Sequence, residues 1–255
     1  MNGMSARDHD TELGGRGRAF PPTRASAVRE LRADAPDRRR AAQEALVRAY
    51  WKPCFAHARA KWSASNEDAK EFVQGFFTRL LTPDALAGFD PARGRFRTFL
   101  RAAFDHHVQH EREAAARDKR GGGRAAASFD LAAHDVADRA PTPEEELDAR
   151  FRREWARRLF ELAIEGLEAR CAELDKRAAF EVFTRYDLHD AERGPRPSYA
   201  QIGAELALPE TQVTNHLHWA RKELRALVYA ELRAITADEH ELAEEARWLL
   251  GGADA

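Results

Sequence analysis

Apolar residues recur at spacings of three and four through most of this chain. Val28 and Leu31 open the pattern. Leu46, Val47, Tyr50, Trp51 and Phe55 follow, then Phe72, Val73, Phe76, Phe77, Leu80 and Leu81. This is the period of amphipathic helices, and the stretch from Ser26 to Arg112 predicts a multi-helix domain. A second series, Trp155, Leu159, Leu162 and Leu167, begins behind Glu144 to Leu147. Acids in a first turn suit the helix dipole, so a new helical domain starts there. No strand-like alternation is long enough to demand a sheet, and no repeat of fixed period is present. The expected fold class is all-α, with two helical domains joined by a flexible linker.

Composition marks the breaks. Residues 1–25 carry glycines, mixed charge and the Pro21-Pro22 pair without periodicity, which predicts a mobile N-terminal tail. The first domain is expected over 26–113. Residues 114–143 hold Arg117, Lys119, Arg120, Gly121 to Gly123, Arg124, Pro141 and Pro143, a basic linker. The second domain is expected over 144–230. An acidic C-terminal extension, 231–255, follows with Glu231, Asp238, Glu239, Glu241, Glu244 and Glu245. Its Ile235, Leu242, Trp248, Leu249 and Leu250 predict a short amphipathic helix.

Charge and cysteine content narrow the classes of function. The 255 residues include 41 basic and 43 acidic side chains, a formal net charge of −2. That disfavours a free-standing, strongly basic nucleic-acid binder. Only Cys54 and Cys171 are present, which argues against a disulfide framework or cysteine-rich zinc site and fits a reducing cytoplasm. The N-terminal residues are polar, and no apolar run approaches the roughly 18 residues of a membrane span.

Three segments carry chemistry. Ser198 to Arg225 predicts two helices joined by a tight turn around Ala207 to Glu210, with Ser198 as the first helix's cap. On a helical wheel Leu217, Ala220 and Leu224 fall within about 40° of Val213 and form a buried stripe. Thr211, Asn215, His218, Lys222 and Arg225 fall opposite, a face of hydrogen-bond donors and cations without an acid. A helix entering a DNA major groove needs such a face; an ordinary helical hairpin with a solvated side would also show it. Glu67 to Leu81 reads as an amphipathic core helix burying Phe72, Val73, Phe76, Phe77 and Leu80 and exposing Asp68, Glu71 and Gln74. Asp90 to Arg112 interleaves arginines with phenylalanines. Cations can hold a nucleic-acid backbone while rings stack on bases, although core phenylalanines beside solvated arginines produce the same pattern.

Together and in this order, the segments resemble RNA polymerase sigma factors of the extracytoplasmic-function type, which retain the second and fourth conserved regions. Glu67-Asp68-Ala69 with Val73-Gln74 and Phe77 is similar to the helix docking on the β′ clamp. Gly94 to Leu100 and the helix after it are similar to the part that captures the melted non-template strand of the minus-ten element. Ser198 to Arg225 is similar to the helix-turn-helix that reads the minus-thirty-five element. A glycine is usual in that turn, where Ala207 stands. Phe20-Pro-Pro-Thr-Arg, Tyr50-Trp51, Gly94-Arg-Phe-Arg, Glu111-Arg112, Lys119-Arg-Gly-Gly-Gly and the acidic extension resemble a longer-tailed group familiar from planctomycetes and myxobacteria.

The resemblance implies a non-catalytic subunit directing core RNA polymerase to promoters, with the β′ clamp, β flap and promoter DNA as partners and room for an anti-sigma factor. It implies no cofactor and no metal. Asp68, Glu71 and Gln74 would contact β′. Arg95, Phe96, Arg97, Arg101, His106 and Arg112 would hold the opened strand. Thr211, Thr214, Asn215, His218, Arg221, Lys222 and Arg225 would face the upstream duplex. Two alternatives remain beside it. An enzyme could use His106, His107, His110 and Glu111, but only His106 and His110 share a helix face and no third metal ligand is evident. A stand-alone helix-turn-helix regulator would need autonomous affinity for duplex DNA, which comes mostly from neutralised phosphates. For the acidic extension there are two expectations: a brake covering the DNA-binding face, or a docking element for a regulator.

Overall fold

A computed structural model of the chain describes residues 26–31, 35–82, 86, 89–118, 143–190, 192 and 194–251. Among these the fold is all-helical, without a strand: α1 (Ala27–Glu30), α2 (Pro36–Lys61), α3 (Asn66–Leu80), α4 (Phe96–Asp118), α5 (Pro143–Glu173), α6 (Arg177–Tyr186), α7 (Tyr199–Leu206), α8 (Glu210–Ile235) and α9 (Glu239–Leu250). The expected N-terminal tail and the part of the expected linker from 119 to 142 lie outside the described residues. Residues 114–118, also expected in the linker, continue α4.

Local chemistry accounts for several helix starts. Pro36 opens α2, a position where its missing N–H is no loss. Ser65 caps α3 by accepting from the Asp68 N–H. The acids Glu144, Glu145 and Glu146 occupy the first turn of α5. Asp238 caps α9 by accepting from the Glu241 N–H at 2.8 Å.

The main core is built on α2, whose Leu46, Tyr50, Cys54 and Ala58 are fully enclosed. Val73, Phe76 and Phe77 of α3 and Phe96, Leu100, Phe104 and Val108 of α4 pack into it. So do Phe151, Trp155 and Leu159 of α5, Leu232 and Ile235 of α8, and Leu242 and Ala246 of α9. Tyr50 joins these layers: its ring stacks on Trp155 at 6.4 Å and meets Phe96 edge-on at 6.0 Å. The hydrophobic core therefore runs from the first helices into α5, α8 and α9. Ser26 adds a buried hydrogen bond to the Thr236 carbonyl.

Beyond that core, the second half of α5 packs with α6 and α8 through Leu167, Cys171, Phe183 and Ala220. Val182, Ile202, Val213 and Leu217 then join α6, α7 and α8. Helix α8 extends past Arg225 because its apolar stripe continues through Val228, Leu232 and Ile235 at spacings of four and three. The expected start of the C-terminal extension at 231 thus falls inside α8, and Ile235 belongs to that helix rather than to α9.

Cys54 and Cys171 are buried free thiols, and burial raises the pKa of both. Neither has the exposed, electropositive setting of a reactive thiolate. Among the described residues no helix is long and apolar enough to cross a membrane.

Candidate nucleic-acid interface

Helix α7, its turn and α8 form a compact helix-turn-helix. The hydroxyl of Ser198 accepts from the Gln201 N–H at 3.2 Å, while the Gln201 side chain accepts from the Ser198 N–H at 2.8 Å. This reciprocal capping box satisfies two donors that a helix start leaves open. The turn reverses at Ala207, which adopts the left-handed conformation with φ 53° and ψ 42°. Helix α8 begins three residues later at Glu210.

Gly203 sets how closely the turn folds back. A methyl group there would lie 2.6 Å from the Leu208 carbonyl oxygen, which is backbone and cannot swing aside. Gly203→Ala is therefore expected to destabilise the chain by about 1–3 kcal/mol. Ala207→Gly is expected to stabilise it by about 0.5–1 kcal/mol, because the left-handed strain of a Cβ outweighs the added freedom of the unfolded chain. Equilibrium urea unfolding of the two variants checks both signs.

Val213, Leu217 and Ala220 are buried along α8, and Leu224 is partly buried beside them. Thr211, Thr214, Asn215, His218, Arg221, Lys222 and Arg225 are all exposed. Arg221 is not free to reach outward, since its Nε and Nη2 each donate to the Asp187 carboxylate at 2.8 Å. That pair fastens α8 to the end of α6. Lys222 and Arg225 make no ion pair among the described residues and are the cations this face can extend. His216 turns partly inward, and burial lowers its pKa.

On α3 the division is equally clear. Ala69, Val73, Phe76, Phe77 and Leu80 are buried, and Asp68, Glu71 and Gln74 are exposed. Gly75 gives the close approach that admits the His107 ring, whose Nε2 would lie 3.3 Å from an added methyl. Burial lowers the His107 pKa to about 4, with the positive charge of Arg79 next in effect. His107 is thus a neutral packing residue. His106 and His110 lie half-buried, and among the described residues no group of three or more His, Cys, Asp or Glu is gathered for a metal.

The Asp90 to Arg112 segment departs most from expectation. Its six candidate strand contacts do not form one open surface. Phe96, Arg97 and Arg101 are buried, at 0, 2 and 7% exposure. Arg95 is half-covered, and Arg112 is exposed, donating to the Trp62 carbonyl at 3.1 Å with its guanidinium over the Trp62 ring. The covering elements are α5 and α9. Arg101 Nε donates to Asp148 of α5 at 3.0 Å and its Nη1 to Asp105 at 3.0 Å. Arg97 lies 5.4 Å from the Trp155 ring and donates through Nη2 to Glu245 at 3.2 Å.

Helix α9 supplies three carboxylates to this end of α4. Glu241 accepts the Phe96 N–H at 2.7 Å and also the Ala237 N–H at 2.7 Å. It thereby caps α4 from a distant part of the chain, and burial raises its pKa despite those bonds. Glu244 accepts from Arg95 Nε and Nη2 at 3.1 and 2.9 Å. Glu245, 1% exposed, lies between Arg97 and Arg152, each at 3.2 Å. Arg152 stacks 3.7 Å from the ring of Trp248, itself 41% exposed. Arg95, Arg152, Glu244, Arg247 and Trp248 line a shallow open cleft. The acidity of the extension is visible in sequence; its pairing with Arg95, Arg97 and Arg152 is not, because sequence shows no link between positions so far apart.

No family model, curated protein or solved structure matches the chain. What the surface can do follows from its own chemistry. The α8 face offers hydroxyl, amide and imidazole groups for base edges and, in Lys222 and Arg225, two cations for phosphates that pair with no acid among the described residues, a combination suited to a major groove. The α3 face offers short acidic and amide groups suited to a basic protein surface.

Proposed function

We propose that this protein is a sigma factor of the extracytoplasmic-function type, a dissociable and non-catalytic subunit that directs core RNA polymerase to promoters. The observation that carries the proposal is the α8 face. Thr211, Thr214, Asn215, His218, Arg221, Lys222 and Arg225 are exposed together, without an acid among them, on the second helix of a capped helix-turn-helix. In this reading α8 reads the upstream duplex of the promoter, and the module around it rests on the polymerase β flap. Helix α3 presents Asp68, Glu71 and Gln74 to the β′ clamp. In this reading residues 26–113 and 144–230 supply the two promoter-reading surfaces, on helices that share one hydrophobic core in the free chain.

The charge balance assigns the polymerase a specific part. With a net charge of −2, the free chain has no excess of cations to sustain tight duplex binding by itself. Holding it on polymerase turns a weak encounter into a local one, and the upstream contacts then act at high effective concentration.

Association with core RNA polymerase tests the reading. Asp68→Ala combined with Glu71→Ala and Gln74→Ala is expected to weaken assembly about tenfold or more, as loss of central interface contacts does. Stability should change little, since all three side chains are exposed. Parent protein that fails to bind core polymerase would overturn the proposal.

A further inference from the structure

We infer that α9 is an intramolecular latch: its Glu241, Glu244 and Glu245 occupy the face of α4 that a single nucleic-acid strand takes, so that docked α9 and bound strand exclude one another. The inference rests on the sigma-factor reading for the identity of the strand, and on geometry for the exclusion. Arg95 immediately precedes α4 and Phe96 and Arg97 begin it, and each of the three is engaged by one of the three carboxylates at distances between 2.7 and 3.2 Å. A carboxylate accepting from a guanidinium, and another accepting from the N–H at a helix start, imitate what phosphate oxygens do at such places. Of the cations that would hold a strand, Arg95 and Arg97 are already paired with carboxylates of α9, and Arg101 with Asp105 and Asp148.

The latch is held by imperfect contacts. Arg97 is 2% exposed, yet its Nε and Nη1 find no hydrogen-bond acceptor among the described residues. Asp148 stands 4.0 Å from that Nη1, too far for a hydrogen bond. Arg152 Nε is likewise buried without an acceptor. A buried charge with unmet donors is costly, so the docked state discards part of what its ion pairs contribute. An incoming strand supplies several phosphate oxygens and can meet donors that Glu245 leaves open. Helix α9 holds apolar contacts through Leu242 and Ala246, which keep the latch closed in the free chain.

Exclusion lowers apparent affinity by the fraction of molecules with α9 released. The probe is a fluorescein-labelled oligothymidylate of about 12 nucleotides, within the span of one single-strand groove. Glu244→Gln combined with Glu245→Gln keeps the shapes and removes two charges from the latch. It is expected to bind the oligonucleotide about tenfold more tightly than the parent in an anisotropy titration. Glu168→Gln with Glu192→Gln makes the same charge change at exposed positions away from α9, and is expected to shift affinity less than about twofold. Equal tightening by both pairs, or none by the first, overturns the latch.

The unaltered protein gives a second test that needs no variant to fold. Hydrogen exchange at residues 239–250 is expected to speed up when saturating oligonucleotide is added. Protection retained in the complex would show α9 still docked and would overturn the inference, and a regulator-docking role for α9 would then be favoured. Failure of the sigma-factor reading is separately visible, as parent protein that does not associate with core polymerase.

Discussion

Replacing Asp105 by alanine is expected to destabilise the fold by about 3–5 kcal/mol, the range found when one partner of a buried charge cluster is removed. Asp105 projects from α4 and gathers four donors. Lys61 Nζ and Arg101 Nη1 bond its Oδ2 at 2.9 and 3.0 Å, and Trp62 Nε1 bonds its Oδ1 at 3.0 Å. His57 Nε2 lies 2.9 Å from the same Oδ1. These bonds tie the C-terminal end of α2 to α4. Alanine would leave the His57 and Arg101 side chains, 2 and 9% exposed, inside the protein without this acceptor. Asp105→Asn retains the shape and part of the bonding, and is expected to cost roughly half as much, about 1–3 kcal/mol.

The same cluster predicts an acid transition. Burial alone would raise the Asp105 pKa, but hydrogen bonds and charge from His57 and Lys61 outweigh it and bring it from 3.8 to about 2. A folded value below the unfolded one stabilises the protein above pH 4. That contribution, roughly 2 kcal/mol, fades as the pH falls toward 2. Urea unfolding at neutral pH measures the substitutions, and repeating it between pH 5 and pH 2 measures the linkage. A cost below about 1 kcal/mol for Asp105→Ala would contradict the cluster's role.

The second large effect concerns DNA. Lys222→Ala combined with Arg225→Ala is expected to weaken binding of the polymerase-bound protein to upstream promoter duplex by about 10–100-fold near physiological salt. Each lost phosphate contact lowers the salt slope by about 0.9, so the slope of log affinity against log salt should become shallower by about 2. These two cations are the apt targets because Arg221, their neighbour, is engaged by Asp187 through two hydrogen bonds. Loss of Arg221 would disturb the α6–α8 contact as well as the surface. Stability should be nearly unchanged in the double variant, since both residues are exposed. An unchanged salt slope would remove the phosphate assignment.

The helices were legible in sequence where apolar residues repeat along one face. Val73, Phe76, Phe77 and Leu80 define the inner side of α3, and Val213, Leu217 and Ala220 that of α8, as their spacing predicts, while Phe72 and Leu224, expected beside them, are only partly buried. The Ser198 cap was equally legible, because capping is local chemistry. The turn carried a weaker signal, since an alanine occupies a left-handed position where glycine is the usual mark.

What sequence could not show is which face meets which. Phe96, Arg97, Leu100, Arg101, Phe104 and Asp105 place a charged stripe directly beside an apolar one, a pattern compatible with a solvated edge or a buried ionic layer. The choice depends on Glu245, 148 positions beyond Arg97, and on Asp148, 47 beyond Arg101. Periodicity reports the faces of a helix, not its tertiary neighbours. For the same reason the continuous core was hidden. Trp155 reads as one position in an apolar stripe, and only the fold brings it against Tyr50.

The most direct measurement is in vitro transcription with core RNA polymerase on genomic fragments, with and without this protein. A sigma factor predicts defined start sites that depend on its addition, at promoters sharing upstream and minus-ten elements. Those starts should weaken when Lys222 and Arg225 are both replaced by alanine. Absence of any protein-dependent start site would contradict the account.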